Sequence, residues 1–114
     1  AIWTNSSRGD GSGDAPNEKP EVIAPGVNVI STGSGDAWYA SSGTSVSTVL
    51  VSSALAMILE AHPELMVEDD RCIEHVKFAL REALGSPHDT STGYGMLDAK
   101  AWFEQVDPTC PSAE

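Results

Sequence analysis

The chain is poor in basic residues, in cysteine and in long apolar runs. Its 114 residues include 6 Lys and Arg against 17 Asp and Glu, a formal net charge of −11. A surface of that sign repels polyphosphates and anionic bilayers, so neither nucleic acid nor a membrane is expected as a partner. The acidity has two readings. One is an ordinary acidic surface; the other is adaptation to high salt, where carboxylates hold a hydrated shell and salt screens their repulsion. Two cysteines, Cys72 and Cys110, do not make a disulfide framework, and sequence alone does not prove their connectivity. Free thiols, or a tether of the tail, are expected ahead of a framework bridge. No stretch reaches the roughly 18 unbroken apolar residues of a membrane-spanning helix, so none is expected. No signal peptide is visible, as in a mature or truncated chain. The chain opens on Ala1 rather than Met, as expected of a processed or excised piece.

What is present is enough for a core. Hydrophobic residues make up 40% of the chain, and the length admits at most one small domain. Residues 4–14 are polar and rich in Gly and Ser, so they read as a loop. Residues 10–18 read as an insertion whose Asp10 and Asp14 are oxygen donors of the kind a hard cation takes. Their spacing fits no established loop motif, and a solvated acidic loop is the preferred reading. Residues 21–24 read as a short buried strand, and residues 27–32 alternate as the next, with Val27, Val29 and Ser31 on one face. Residues 38–41 form the return strand. From Thr44 the sequence reads as a helix with Val46, Val49, Leu50, Leu55, Met57, Ile58 and Leu59 spread round the wheel and no charge before Glu60. Such a helix is expected to be buried on most sides. It stops near His62-Pro63, because proline cannot continue a helix and disfavours helical geometry before it.

A second helix is predicted over residues 68–84. Ile73, Val76, Leu80 and Leu84 recur at helical spacing, Cys72 and Ala79 lie beside them, and Glu68, Asp69 and Asp70 crowd its start. Gly85 is placed for a left-handed cap. His75 falls on the polar side and reads as solvated. A last helix is predicted over residues 99–106, capped by Asp98, with Leu97 placed to staple onto Trp102. Residues 108–114 read as a tail on a portion that spans 1–107.

One hydroxyl, that of Ser45, falls where turn becomes helix. Free N–H groups and the positive end of the helix dipole meet there, and the serine's own amide can stabilise an oxyanion. Gly43-Thr44-Ser45 followed by an apolar helix resembles the nucleophile motif of the subtilisin-like serine peptidases. Lys19-Pro20-Glu21-Val22-Ile23-Ala24-Pro25-Gly26 resembles that family's KPDVVAPG segment. Gly93-Tyr94-Gly95-Met96-Leu97-Asp98-Ala99 resembles its closing G-x-G segment. Asn5-Ser6-Ser7-Arg8-Gly9 resembles a segment that often reads F-S-S-x-G, with Asn5 in place of the aromatic. Val46 replaces a frequent Met, and Val49 and Leu50 replace a frequent Pro-His pair.

The resemblance implies an α/β fold. The chain would be the C-terminal part of a three-layer structure with a mostly parallel sheet, a buried nucleophile helix and C-terminal helices. It implies a serine endopeptidase in which Ser45 is the nucleophile. The oxyanion hole includes the Ser45 amide, helped by Thr44, and substrate runs past Ser42 and Gly43. No metal or other cofactor is expected, although calcium is compatible with the family. The triad order of the family is Asp, His, Ser, so the base and its partner are expected upstream or on another chain. No histidine precedes Ser45. His62 lies some 17 residues away along the helix, about 25 Å at 1.5 Å each, and His88-Asp89 are neighbours in a loop; neither is taken as the catalytic base. The expected partners are therefore the upstream segment and a peptide or protein substrate, in a secreted setting. The other reading is a catalytically inactive interaction or scaffold module of the same fold. A nucleophile elbow of the α/β-hydrolase kind is disfavoured, because Ser47 occupies its second small position and no Asp and His follow in a convincing context.

Overall fold

A computed structural model describes residues 2–10, 18–66 and 70–110. Among these residues two strands, β1 (Val29–Gly33) and β2 (Ala37–Ser41), precede three helices: α1 (Thr44–Ala61), α2 (Asp70–Leu84) and α3 (Ala99–Gln105). A single 3-10 turn, Pro63–Leu65, follows α1. The expected acidic start of α2 at Glu68 and Asp69, Asp14 of the candidate cation pair, and residues 111–114 of the tail lie outside the described residues.

The strands form an antiparallel hairpin in the register Val29 with Ser41 through Gly33 with Ala37. Its tip turns through Gly35 and Asp36, both at positive φ. The mostly parallel arrangement expected ahead of Ser45 is corrected for these elements. Among the described residues, parallel pairing is confined to one bridge, Ile23 with Met96, held by Ile23 N–H to Gly95 O at 3.0 Å and Leu97 N–H to Ile23 O at 2.7 Å. The strand expected over residues 21–24 is therefore a single bridged residue, Ile23, with one further backbone bond beside it, Tyr94 N–H to Glu21 O at 2.9 Å.

α1 has the expected bounds. Its last bond, His62 N–H to Ile58 O at 2.9 Å, comes before Pro63, which has no N–H to extend the ladder. Its expected burial is corrected. Only Ala54 and Ile58 are buried, while Val51, Leu55 and Leu59 pack partly against the core. Val49 and Met57 are 61% and 62% exposed. One stripe of the helix meets the other described elements, and nothing described covers the opposite side. By length and mean hydropathy (1.5) α1 is also apolar enough to cross a bilayer. The expectation of no such helix rested on unbroken apolar runs. Ser and Thr interrupt this one without adding a charge before Glu60.

The core gathers Ala54 and Ile58 of α1, Leu65, Cys72, Val76, Ala79 and Leu80 of α2, Trp102 of α3, Val106 and Cys110. The indole N–H of Trp102 donates to Val76 O at 3.0 Å. Two expectations for α2 are corrected together. The buried stripe runs 72, 75, 76, 79, 80, so Ile73 is 56% exposed and His75 is buried. His75 takes a backbone N–H from Asp107 on Nε2 at 2.9 Å. Cys72 and Cys110 are joined in a disulfide across 38 residues. This overturns free thiols and bears out the tether: residues 106–110 fold back over the face of α2 that carries Cys72 and His75. Gly85 caps α2 at φ +67, and the Asp98 carboxylate accepts from Ala101 N–H at 3.0 Å.

Candidate active site

The first turn of α1 is set by glycine. Gly43 is the residue before the helix, at φ 150 and ψ 158, a region that essentially only glycine occupies. Its N–H donates to Gly26 O at 2.7 Å, and its carbonyl accepts from Val46 N–H at 3.1 Å. No side chain caps the helix. The amides of Thr44 and Ser45 have no partner among the described residues, as expected of the first turn of a helix. Ser45 is the second residue of α1 and is exposed. Its hydroxyl also has no hydrogen-bond partner among the described residues.

The segment before the hairpin is clamped to this turn. Ser47 Oγ donates to Ala24 O at 2.9 Å and to Pro25 O at 3.1 Å. Gly26 lies so close that a Cβ there would meet Ser47 Oγ at 2.5 Å and Gly43 O at 2.9 Å. Ser42 Oγ accepts from Asn28 N–H at 2.9 Å, which closes the base of the hairpin. A groove of about 930 Å³ runs beside the turn, lined by Gly43, Thr44, Ser47, Gly26, Val51 and Met96 together with residues of the N-terminal segment. Of the four residues assigned from sequence, Gly43 and Thr44 line this groove, whereas Ser42 and Ser45 do not. The Ser47 clamp was missed by sequence reasoning. Its signal was a hydroxyl in the first helical turn opposite Ala24-Pro25-Gly26.

The three histidines are placed elsewhere. His62 ends α1, with its ring centroid 5.5 Å from that of Phe103. His75 is buried under the C-terminal segment. His88 Nδ1 lies 3.2 Å from the Glu18 carboxylate and Nε2 lies 2.9 Å from Pro20 O, and its ring meets Tyr94 edge-on. It thus ties residues 18–20 to the loop after α2. A cavity of about 440 Å³ opens there, lined by Glu18, Arg81, Glu82, Ser86, His88 and Tyr94 among others. Burial pushes the Tyr94 hydroxyl up, against the Arg81 guanidinium 4.8 Å from its ring centre. None of these histidines contacts Ser45. Two backbone N–H groups, first that of Ser91 and then that of Thr92, hold the Asp89 carboxylate below its ordinary value. Among the described residues no group of three or more His, Cys, Asp or Glu is placed to hold a metal ion.

This arrangement offers one free hydroxyl and two free amides at a positive helix end, without a base beside them among the described residues. The sequence profile described as "Subtilase family" matches residues 1–96. The serine protease AprX of Bacillus subtilis (strain 168) is 33% identical over 66 residues, covering 46% of this chain and 15% of that protein. The halolysin-like extracellular serine protease Nep of Natrialba magadii is 30% identical over 87 residues, covering 76% of this chain and 14% of that protein. The chain therefore spans only a small part of the length of either relative. No solved structure matches.

Proposed function

The chain belongs to the subtilase family, and from that premise we propose that it is the nucleophile-bearing, C-terminal part of a serine endopeptidase catalytic domain. The observation that carries this reading is Ser45 at the exposed N-terminus of α1, beside amides that nothing described satisfies. In the proposed reaction Ser45 Oγ attacks the scissile carbonyl. A histidine from the upstream part takes the Oγ proton, oriented by an upstream aspartate. The Ser45 amide, helped by Thr44, donates to the oxyanion. Substrate backbone runs past Ser42 and Gly43; the Ser42 hydroxyl is held by Asn28 N–H, so the contact falls to the backbone there.

The uncovered side of α1 is where the upstream part packs, completing a three-layer fold with a mostly parallel sheet. Residues 1–107 form the catalytic portion and 108–114 a tail tethered through Cys110. No metal or other cofactor takes part. The partners are that upstream part and a peptide or protein substrate, not nucleic acid or lipid. The extracellular relative supports a secreted setting.

The test is labelling by a fluorophosphonate probe with and without the upstream segment, on the native chain and on Ser45→Ala. Labelling is expected only for the native combined protein. Loss of the nucleophile or the base of such a unit costs about 10⁶ in turnover. Strong labelling of the isolated chain would place a base within these residues. A well-folded native pair that fails to label would favour the second reading, an inactive scaffold module; the lack of a histidine beside Ser45 is the observation behind that reading.

A further inference from the structure

The mechanism above makes no use of the turn at residues 3–6. Its hydrogen bond, Ser6 N–H to Trp3 O at 2.9 Å, lifts Asn5 to the surface, while Ile2 and Trp3 are half-buried behind it. Asn5 and Ser7 are both exposed, and neither side chain has a hydrogen-bond partner among the described residues. Asn5-Ser6-Ser7 is an Asn-x-Ser triplet. The other two asparagines are followed by Glu18-Lys19 and Val29-Ile30, so only Asn5 has a hydroxyl two residues on. That pattern is the acceptor signature for N-linked oligosaccharide, and it operates on surface loops of exported chains. A second, independent observation agrees. The Cys72–Cys110 disulfide belongs to an oxidising compartment, where such transfer takes place.

We propose that Asn5 is an N-glycan acceptor. The donor class is an oligosaccharide linked through its anomeric carbon to a polyprenyl phosphate or diphosphate. A bond forms between Asn5 Nδ2 and the anomeric carbon, and the bond from that carbon to the phosphate oxygen breaks. The polyprenyl phosphate leaves with the electron pair, and Nδ2 gives up one proton; nothing is oxidised or reduced. Ser6 and Ser7 line the groove that reaches Thr44, so the glycan stands at its rim. The proposal rests on the export proposed above and is independent of catalysis by Ser45.

The experiment secretes the full-length protein from a host with N-glycosylation machinery, together with a control glycoprotein. Intact mass and peptide mapping are read on the native chain, Asn5→Gln, Ser7→Ala and Ser7→Thr. The expected result is a mass excess of one oligosaccharide on the Asn5 peptide of the native chain and Ser7→Thr. Asn5→Gln and Ser7→Ala abolish it. An unmodified Asn5 in secreted protein, with the control modified, overturns the proposal while leaving export standing. An excess that survives Asn5→Gln overturns it as well. Retention of an unmodified chain inside the cell, with the control exported, overturns export and glycan together.

Discussion

Gly26 and Ser47 determine how closely residues 24–26 approach the first turn of α1. A methyl group at Gly26 meets a side-chain hydroxyl and a backbone carbonyl at once, and the backbone cannot yield as a flexible side chain can. Gly26→Ala is expected to lower stability by about 1–3 kcal/mol, the range for overpacking a close contact, as read from urea denaturation. Ser47→Ala, which removes the hydroxyl from two carbonyls, should cost about 1 kcal/mol. Combining the two should not restore stability, because the clash with Gly43 O remains; full recovery would mean that the carbonyl contact is unimportant. A second residue-scale prediction concerns acid. Asp89 is held below its ordinary 3.8 by the N–H groups of Ser91 and Thr92, and Asp107 by the hydroxyl and N–H of Thr109. Between the folded and unfolded values the unfolded chain binds more protons, so stability falls as pH drops. The contribution is complete above pH 3.8 and is lost as pH falls through the depressed folded values. Asp89→Asn and Asp107→Asn should each flatten the acid limb of a stability–pH curve; an unchanged limb in both would remove these carboxylates as its source. Asp98 as a cap was legible in the sequence because its partner, Ala101, is three residues on. His75 was not, because the N–H it accepts lies 32 residues away.

At the scale of elements, α2 and the chain from α3 to Cys110 act as one unit. The Cys72–Cys110 bond and the His75 contact to Asp107 tie α2 to the segment after α3, and the Trp102 contact to Val76 ties it to α3 itself. Closing a loop of 38 residues restricts the unfolded chain by about 4 kcal/mol on the loop-entropy estimate. The variant Cys72→Ala/Cys110→Ala should therefore lose a few kcal/mol in denaturant melts. Equal stability with and without reductant would show that the hydrogen bonds and packing suffice. Three helix ends among the described residues were readable from local chemistry: Gly43 before α1, Pro63 after it, Gly85 after α2. The faces were not. Ile73 fits a helical repeat as well as Cys72 does, and only the returning segment decides that Cys72 and His75 point inward. α1 likewise carries apolar residues all round, which announces burial without saying which neighbour supplies it. The placement of Ser45 at a helix start followed from residues 43–45 themselves, whereas its assigned role came from family resemblance.

At the scale of the whole molecule, the net charge of −11 sets up self-repulsion that salt screens within about 10 Å at 0.1 M. If the acidic surface is an adaptation to salt, the melting temperature should climb from low to molar KCl. Excluded solutes strengthen apolar burial generally, so the comparison needs a non-ionic osmolyte: a rise in KCl that sucrose reproduces in full would assign the effect to exclusion and not to charge. The disulfide has one more consequence. It turns residues 72–110 into a covalent ring that contains most of α2, the loop after it, and α3. A linear chain cut in that loop sheds everything downstream of the cut; a ring cut once merely opens, and no piece departs. For a chain proposed to be part of a secreted endopeptidase, a nick between α2 and α3 leaves a single particle on a non-reducing gel and two bands after reduction. Two bands without reductant would show that the ring is not closed in solution.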